Sequence, residues 1–223
     1  MAGKLMYIFI AMLCTFHLQN TENVHKVENI RDKTLLEFQT HYKDKTINKL
    51  SIFFYIYALL SSKEYQDLFQ ADLMKESPRI FFTSDFWAYA EVGEKLVKLH
   101  TNYEDVKPYE ATIEYKSSEP SFKVTKMKYA KKGDPSSIVF NSDITIKDIP
   151  ERAQQYVING RTPMEWLMDQ YKLEVKKKSQ ILFDPNEYSE DEKYIFKLLL
   201  RLINVSIQTV DLINSLPPLE IVD

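Results

Sequence analysis

The sequence contains very little cysteine, histidine and glycine, and each shortage excludes a class of protein. Its single cysteine, Cys14, excludes an internal disulfide and any zinc site built on several cysteines. The four histidines, His17, His25, His41 and His100, lack the spacing of metal ligands. With only 4 glycines in 223 residues, the chain is neither a repeat array nor a linker-rich protein. We therefore expect no metal and no other cofactor.

Catalytic motifs are also missing from the sequence. It contains no phosphate-binding loop, no glycine-rich dinucleotide turn, no Gly-x-Ser-x-Gly elbow and no His-Glu-x-x-His pair. Paired acids such as Glu190 and Asp191 fall at predicted helix starts, where the helix dipole accounts for them. The chain is therefore predicted not to be an enzyme by itself.

The composition is that of a folded, helix-rich protein. Hydrophobic residues make up 44% of the chain, with 14 tyrosines and 13 phenylalanines, which is enough to bury a core. The net charge of -3 gives no overall attraction to nucleic acid, so any such attraction must be local. A reducing, cytoplasmic location is the expectation from the single cysteine.

The status of the first 46 residues is open. An apolar run, residues 5–16, follows Lys4 as in a short signal peptide, but it is too short to span a bilayer and no cleavage site of small residues follows. A buried strand or helix, or a piece of a larger core exposed by truncation, is favoured, and no membrane association is expected. The alternative hypothesis is an exported or membrane-tethered interaction protein that uses this run as its signal.

The hydrophobic periodicity predicts an α+β fold with a helical N-terminal half, a small antiparallel sheet in the middle and a long C-terminal helix. His100 ends one predicted helix, where the dipole would favour a positive imidazole. The predicted helices are 34–42, 47–74 with a break at Ser61-Ser62, 86–100 and a last one that runs to Asn214, and the predicted strands are 111–115, 122–129 with a bulge at Lys126, 136–140 and 144–146.

A helix start is unusually clear at Thr162. Thr162 can accept a hydrogen bond from the amide of Glu165, Glu165 can reach back to the amide of Thr162, and Pro163 suits the first helical position. The preceding residues Asn159-Gly160-Arg161 are predicted to form a loop. Contacts with a partner could come from this loop, although core packing is the commoner role of such a helix.

Lysines are concentrated between residues 116 and 132. Six lysines (116, 123, 126, 128, 131 and 132) stand there against one acid, Glu119, which gives a local charge of +5. Strand lysines two residues apart project from one face at intervals of roughly 7 Å, which suits adjacent backbone phosphates. Arg161 and the run 176–178 could extend this surface. The alternative is that the lysines protect an exposed sheet edge from aggregation.

The run Tyr156–Trp166 resembles a region of the C-terminal specificity domain of Type ISP restriction-modification enzymes and their helicase-like relatives. Further blocks resemble that domain in the same order: Tyr55–Tyr65, Pro78–Ile80, Phe86–Tyr103 with Gly93 and Leu99-His100, Asp184–Asn186 and Val205–Pro217. The resemblance extends from about residue 47 to residue 216, which we predict to be the domain, followed by a tail, 217–223. Departures at Ser61, Phe81 and Gln180 leave a diverged, non-binding remnant as a further possibility.

The resemblance implies sequence-specific recognition of double-stranded DNA. In that family the nuclease, translocase and adenine methyltransferase parts precede the specificity domain. The resemblance therefore implies those parts as the partners of this chain, and the reading frame upstream is where they are expected. The residues expected to contact DNA come from charge and loop position, and they are Lys123, Lys126, Lys128, Lys131, Lys132, Arg161, Arg79, Lys176, Lys177 and Lys178. Lysines would supply affinity, and Arg161 or Arg79 would discriminate guanine.

Overall fold

The computed structural model describes residues 29–73, 75–175 and 182–222. These residues form two compact units, one containing those up to Thr101 and from Asp211 onward, the other those from Asn102 to Val210. In chain order the elements are α1 (Asp32–His41), α2 (Lys49–Ser61), α3 (Lys63–Leu73), β1 (Phe82–Thr83), α4 (Phe86–Thr101), β2 (Thr112–Tyr115), β3 (Lys128–Lys131), β4 (Asp134–Val139), β5 (Ile144–Lys147), α5 (Glu151–Gln154), α6 (Pro163–Gln170), β6 (Glu174–Val175), β7 (Leu182–Phe183), a 3-10 turn (Pro185–Glu187), α7 (Tyr194–Asn214) and β8 (Ile221–Val222).

Helix α2 lies at the centre of the first unit because it is apolar around most of its circumference. Ile52 and Tyr55 are completely buried, and the Tyr55 ring stacks on Phe86 of α4. The helix begins at a capping box in which the Ser51 amide donates to Asn48 Oδ1 at 2.9 Å and the Asn48 amide donates to Ser51 Oγ at 3.0 Å. It ends at Ser61, which confirms the predicted break.

Helices α2 and α4 touch backbone to backbone at Gly93. A Cβ atom added to Gly93 would lie 1.8 Å from the carbonyl oxygen of Phe54 and 2.6 Å from its carbonyl carbon. Glycine in a helix interior costs about 1 kcal/mol relative to alanine. The close approach of the two helices explains why glycine is nevertheless present there.

The residues from 217 onward return to the first unit. Strand β8 pairs antiparallel with β1, with Phe82 opposite Val222 and Thr83 opposite Ile221. Tyr89 Oη donates a hydrogen bond to the carbonyl oxygen of Pro217 at 3.2 Å. Part of the segment predicted as a tail is therefore held by β1 and α4.

The expectation of a positively charged His100 is wrong. Its Nδ1 atom lies 2.7 Å from Tyr57 Oη, and burial lowers the pKa of the imidazole to about 4. A neutral imidazole can accept a hydrogen bond from the Tyr57 hydroxyl at Nδ1. The penalty of desolvation therefore outweighs the attraction of the helix dipole at this position.

We expect stability to fall as the pH drops from about 6.5 to about 4. The unfolded chain binds a proton on His100 in this range and the folded chain largely does not, so protonation favours unfolding, by roughly 3 kcal/mol at the acid end. Urea unfolding of wild type and His100→Gln across this range tests the effect, because the variant should lose that part of the acid slope. Identical slopes, or an imidazole that titrates near pH 6.5 in the folded protein by NMR, would contradict it.

The second unit is built on a four-stranded antiparallel sheet. Its strand order is β2-β5-β4-β3, so β2 and β3 form the two edges. Buried side chains of β4 and β5, including Ile138, Ile144 and Ile146, share one core cluster with Met164 of α6 and Leu199 of α7. The two helices therefore cover one face of the sheet.

The predicted α+β class is confirmed, with helices in the N-terminal half, a small antiparallel sheet in the middle and a long last helix. The predicted strand 122–129 is wrong in extent, since β3 begins only at Lys128. Its register irregularity lies between Tyr129 and Lys131 and not at Lys126. The backbone before β3 deviates because Val124 hydrogen-bonds to a side chain instead of to a neighbouring strand.

Residues 5–16, which raised the hypothesis of a signal segment, lie outside the described part of the chain. Within the described residues, no helix combines the length and the apolar character needed to cross a membrane.

Candidate nucleic-acid interface

Five predicted lysines lie close together in sequence along one segment of the second unit. Lys123 and Lys126 precede β3, Lys128 and Lys131 lie in it, and Lys132 is in the turn to β4. All five are exposed. The buried side chains of Val124 and Met127 and the partly buried ring of Tyr129 alternate with them and pack into the core cluster. The inward position of these apolar residues turns the lysines outward.

Two distant segments hold the backbone that carries Lys123 and Lys126. The Asn186 side chain accepts a hydrogen bond from the Val124 amide at 2.7 Å and donates one to the Val124 carbonyl oxygen at 2.9 Å. The Leu173 amide donates to the carbonyl oxygen of Thr125 at 2.8 Å. These bonds replace the pairing that a sheet would provide, so this stretch is fixed even though it is not a strand.

The charge of these lysines is largely uncompensated. Across the described ranges, none of the five forms an ion pair, whereas Lys147 pairs with Glu114 at 2.7 Å and Lys172 with Asp169 at 2.8 Å. Asp134 lies opposite Lys131, and its pKa is lowered mainly by hydrogen bonds from Ser136 and only to a minor extent by Lys131. Positive charge therefore accumulates along β3.

The lysines at the two ends of the sequence cluster have different surroundings. Lys123 lines a shallow pocket together with Asp191 and Glu192, so two acids lie near it. Lys116 follows β2, at the edge of the sheet opposite β3. The structure therefore separates Lys116 from the lysines of β3.

The loop before α6 is a tight two-residue turn. Asn159 and Gly160 have φ values of 54° and 77°, and Ile158 and Arg161 exchange two backbone hydrogen bonds of 2.8 and 3.2 Å. Trp166 Nε1 donates to the Ile158 carbonyl oxygen at 2.9 Å. The turn is therefore tied to the helix that follows it.

The capping box that begins α6 is confirmed. The Glu165 amide donates to Thr162 Oγ1 at 3.2 Å, and the Thr162 amide donates to Glu165 Oε2 at 2.8 Å. Beside this box lies the hydroxyl of Tyr129, which comes from β3. Burial raises the pKa of Tyr129 to about 12, and the Glu165 carboxylate contributes to the rise. The strand with the lysines and the helix that follows Arg161 therefore adjoin each other.

Arg161 is exposed on the surface but held by its neighbours. Its Nη1 donates to Asp169 Oδ2 at 3.2 Å, and its Cζ lies 5.1 Å from the centre of the Trp166 ring. About half of the Arg161 side chain remains accessible. A guanidinium has five N–H donors, and the hydrogen bond to Asp169 uses one of them.

The remaining predicted residues are not all part of this surface. Arg79 belongs to the first unit, where its Nη2 donates to Glu76 Oε2 at 3.1 Å. Lys176, Lys177 and Lys178 lie outside the described residues. The strands on either side of them, β6 and β7, pair antiparallel.

Sequence reasoning missed Asn186 and Asp169. The run Asp184-Pro185-Asn186 was predicted only as a turn, although Asn186 holds Val124, 62 positions away. Asp169 lies eight positions after Arg161 and could have been found as a helical acid on the side of the loop. In the described part of the chain, no three histidine, cysteine or acidic residues are grouped as a metal site.

The Type ISP C-terminal specificity domain is the family whose sequence profile matches this chain, over residues 10–198. The chain belongs to that family. The match starts within the apolar run 5–16 and includes the following residues up to 46, whose status the sequence left open. No curated protein sequence matches the chain.

Three solved structures each contain a part whose fold is similar to that of this specificity domain. A nuclease-deletion mutant of LlaGI in complex with a DNA substrate mimic is 46% identical, with a TM-score of 0.73 over 79% of this chain and 14% of that one. LlaBIII bound to DNA is 37% identical, with a TM-score of 0.78 over 92% of this chain and 13% of that one. The DrdV–DNA complex is 30% identical, with a TM-score of 0.75 over 88% and 21%. This chain thus spans about a fifth or less of each relative.

Proposed function

We propose that this chain recognises a specific sequence in double-stranded DNA, as the specificity module of a Type ISP restriction-modification enzyme, and has no catalysis of its own. Its partners are then DNA and the nuclease, translocase and methyltransferase parts of the parent enzyme, and its location is the cytoplasm. Family membership and three relatives that were solved with DNA or a DNA mimic support this proposal.

The observation that carries the proposal is the uncompensated charge along β3. Lys126, Lys128, Lys131 and Lys132 are exposed and form no ion pair within the described residues, although the whole chain carries a net charge of -3. Ammonium groups along an extended backbone match the repeat of phosphates, which supply most of the affinity in protein–DNA complexes. Lys123 is a weaker contributor because Asp191 and Glu192 lie near it.

Arg161 is the residue that we propose for discrimination between bases. It lies in the same compact unit as the lysines, and Tyr129 of β3 lies beside the capping box of the helix that begins after it. A guanidinium can donate two parallel hydrogen bonds to the O6 and N7 atoms of guanine. Arg79 has the same guanidinium chemistry and is the second candidate. It belongs to the other compact unit and is distant from the lysines in sequence.

Replacing Arg161 with alanine should lower discrimination at one base pair about tenfold, since a bidentate contact contributes roughly 1–3 kcal/mol of discrimination. The measurement is selection from a library of randomised duplexes by the 223-residue chain, followed by gel shifts on the selected site and its single-base variants. Arg161→Lys is the matched control, because it keeps the charge but not the bidentate geometry. It should retain non-specific affinity and still lose the preference.

A wild-type chain that selects no sequence would contradict the proposed function. An unchanged preference in Arg161→Ala together with a changed one in Arg79→Ala would transfer the role to Arg79.

A further inference from the structure

The surroundings of Arg161 restrict the directions in which its guanidinium can point. Trp166 lies against one face of the group, with its ring centre 5.1 Å from Cζ, and Asp169 holds Nη1 at 3.2 Å. Trp166 is itself fixed by its hydrogen bond to Ile158. An exposed arginine normally samples many rotamers, and ordering it on binding costs free energy.

Asp169 is in an unfavourable place for its own helix. It is the penultimate residue of α6, where the negative end of the helix dipole disfavours a carboxylate. Its partners compensate for this position. The pKa of Asp169 is lowered first by Lys172, which donates to Oδ1 at 2.8 Å, and then by Arg161. The two oxygens of one carboxylate therefore hold two cations, one on each side.

We propose that Asp169 is a positioning residue for base recognition, which holds the Arg161 guanidinium against Trp166 in the orientation that contacts DNA. This inference rests on the proposed function and adds a residue that does not itself touch DNA. One of the five guanidinium donors is used by Asp169, and the others remain available for a base edge. Preorganisation of this kind raises specificity without adding a contact.

The proposal predicts opposite changes in two measured quantities. Asp169→Leu removes the acceptor and a negative charge near the lysines. Non-specific affinity for duplex DNA should therefore rise slightly, while discrimination at the base pair contacted by Arg161 falls about two- to fivefold, the scale of an exposed ion pair. Asp169→Asn keeps a hydrogen-bond acceptor and should lose less discrimination than Asp169→Leu. Asp169→Glu should restore most of the discrimination.

Lys172→Ala is the matched control, because it removes the other partner of Asp169 and leaves the Arg161 contact in place. It should leave the base preference unchanged. Thermal unfolding of each variant checks the fold. The midpoint temperature should not fall for Asp169→Leu, since the helix dipole favours the loss of this acid.

Each result decides between the hypotheses. If wild type selects a site, Arg161→Ala loses the preference and Asp169→Leu keeps it, the positioning role is wrong while the proposed function stands. If Lys172→Ala loses the preference as strongly as Asp169→Leu, the effect does not pass through Arg161 and the proposal is overturned. If wild type selects no site at all, the proposed function is overturned and this role with it.

Discussion

The substitution Gly93→Ala is expected to destabilise the protein by more than about 3 kcal/mol, at the upper end of the cost of overpacking a core. The new methyl carbon would lie 1.8 Å from the Phe54 carbonyl oxygen. That atom belongs to the backbone of a buried helix and cannot rotate away as a side chain would. Alanine gains about 1 kcal/mol in helix propensity, which is too little to offset the collision.

Urea unfolding followed by circular dichroism measures this effect, and Gly133→Ala is the control. Gly133 has a φ value of 78° but nothing within 4 Å of an added Cβ, so it separates conformational strain from collision. The control should cost only about 1–2 kcal/mol, the penalty of a left-handed conformation. Equal losses in the two variants would mean that α2 and α4 are not in the tight contact described.

The double substitution Lys126→Ala and Lys128→Ala should weaken DNA binding roughly 100-fold at 50 mM salt. Each phosphate contact releases close to one counterion, which at this salt concentration corresponds to about a tenfold gain in affinity. The slope of log affinity against log salt should become shallower by about 1.8, and all sequences should be affected alike. Gel shifts or fluorescence anisotropy over a series of salt concentrations measure both quantities.

The control removes two exposed lysines elsewhere, Lys45 and Lys95, and therefore changes the net charge by the same amount. Its salt slope should match that of wild type. If both double variants lose affinity equally, only overall charge matters and β3 is not the binding surface. If the β3 variant aggregates while its DNA affinity is unchanged, the lysines protect the sheet edge, the alternative that the sequence left open.

The features predicted correctly from sequence are local ones. The capping box at Thr162 needs only residues three positions apart, and the break after Ser61 follows from a serine between two helical patterns. The alternation of apolar residues and lysines around β3 is also a local pattern, and it correctly predicted that these lysines are exposed. Short-range geometry of this kind is fixed by backbone periodicity before any tertiary contact forms.

The features that were missed depend on residues far apart in the chain. His100 was predicted to be positive from its own helix, but the partner that buries it, Tyr57, is 43 positions away. The predicted strand 122–129 failed because Asn186, 62 positions away, takes the hydrogen bonds of Val124. The resemblance identified the family, whereas the surroundings of Arg161 required coordinates.

The position of β3 at the edge of its sheet has a practical consequence for handling the protein. Repulsion between ammonium groups opposes the pairing of two exposed strand edges, and electrolyte shortens its range from about 10 Å at 0.1 M to about 3 Å at 1 M. Concentrated salt would also release bound nucleic acid. Purification steps that strip nucleic acid therefore also weaken the repulsion between β3 edges, so monodispersity should be checked by light scattering before the salt is lowered again.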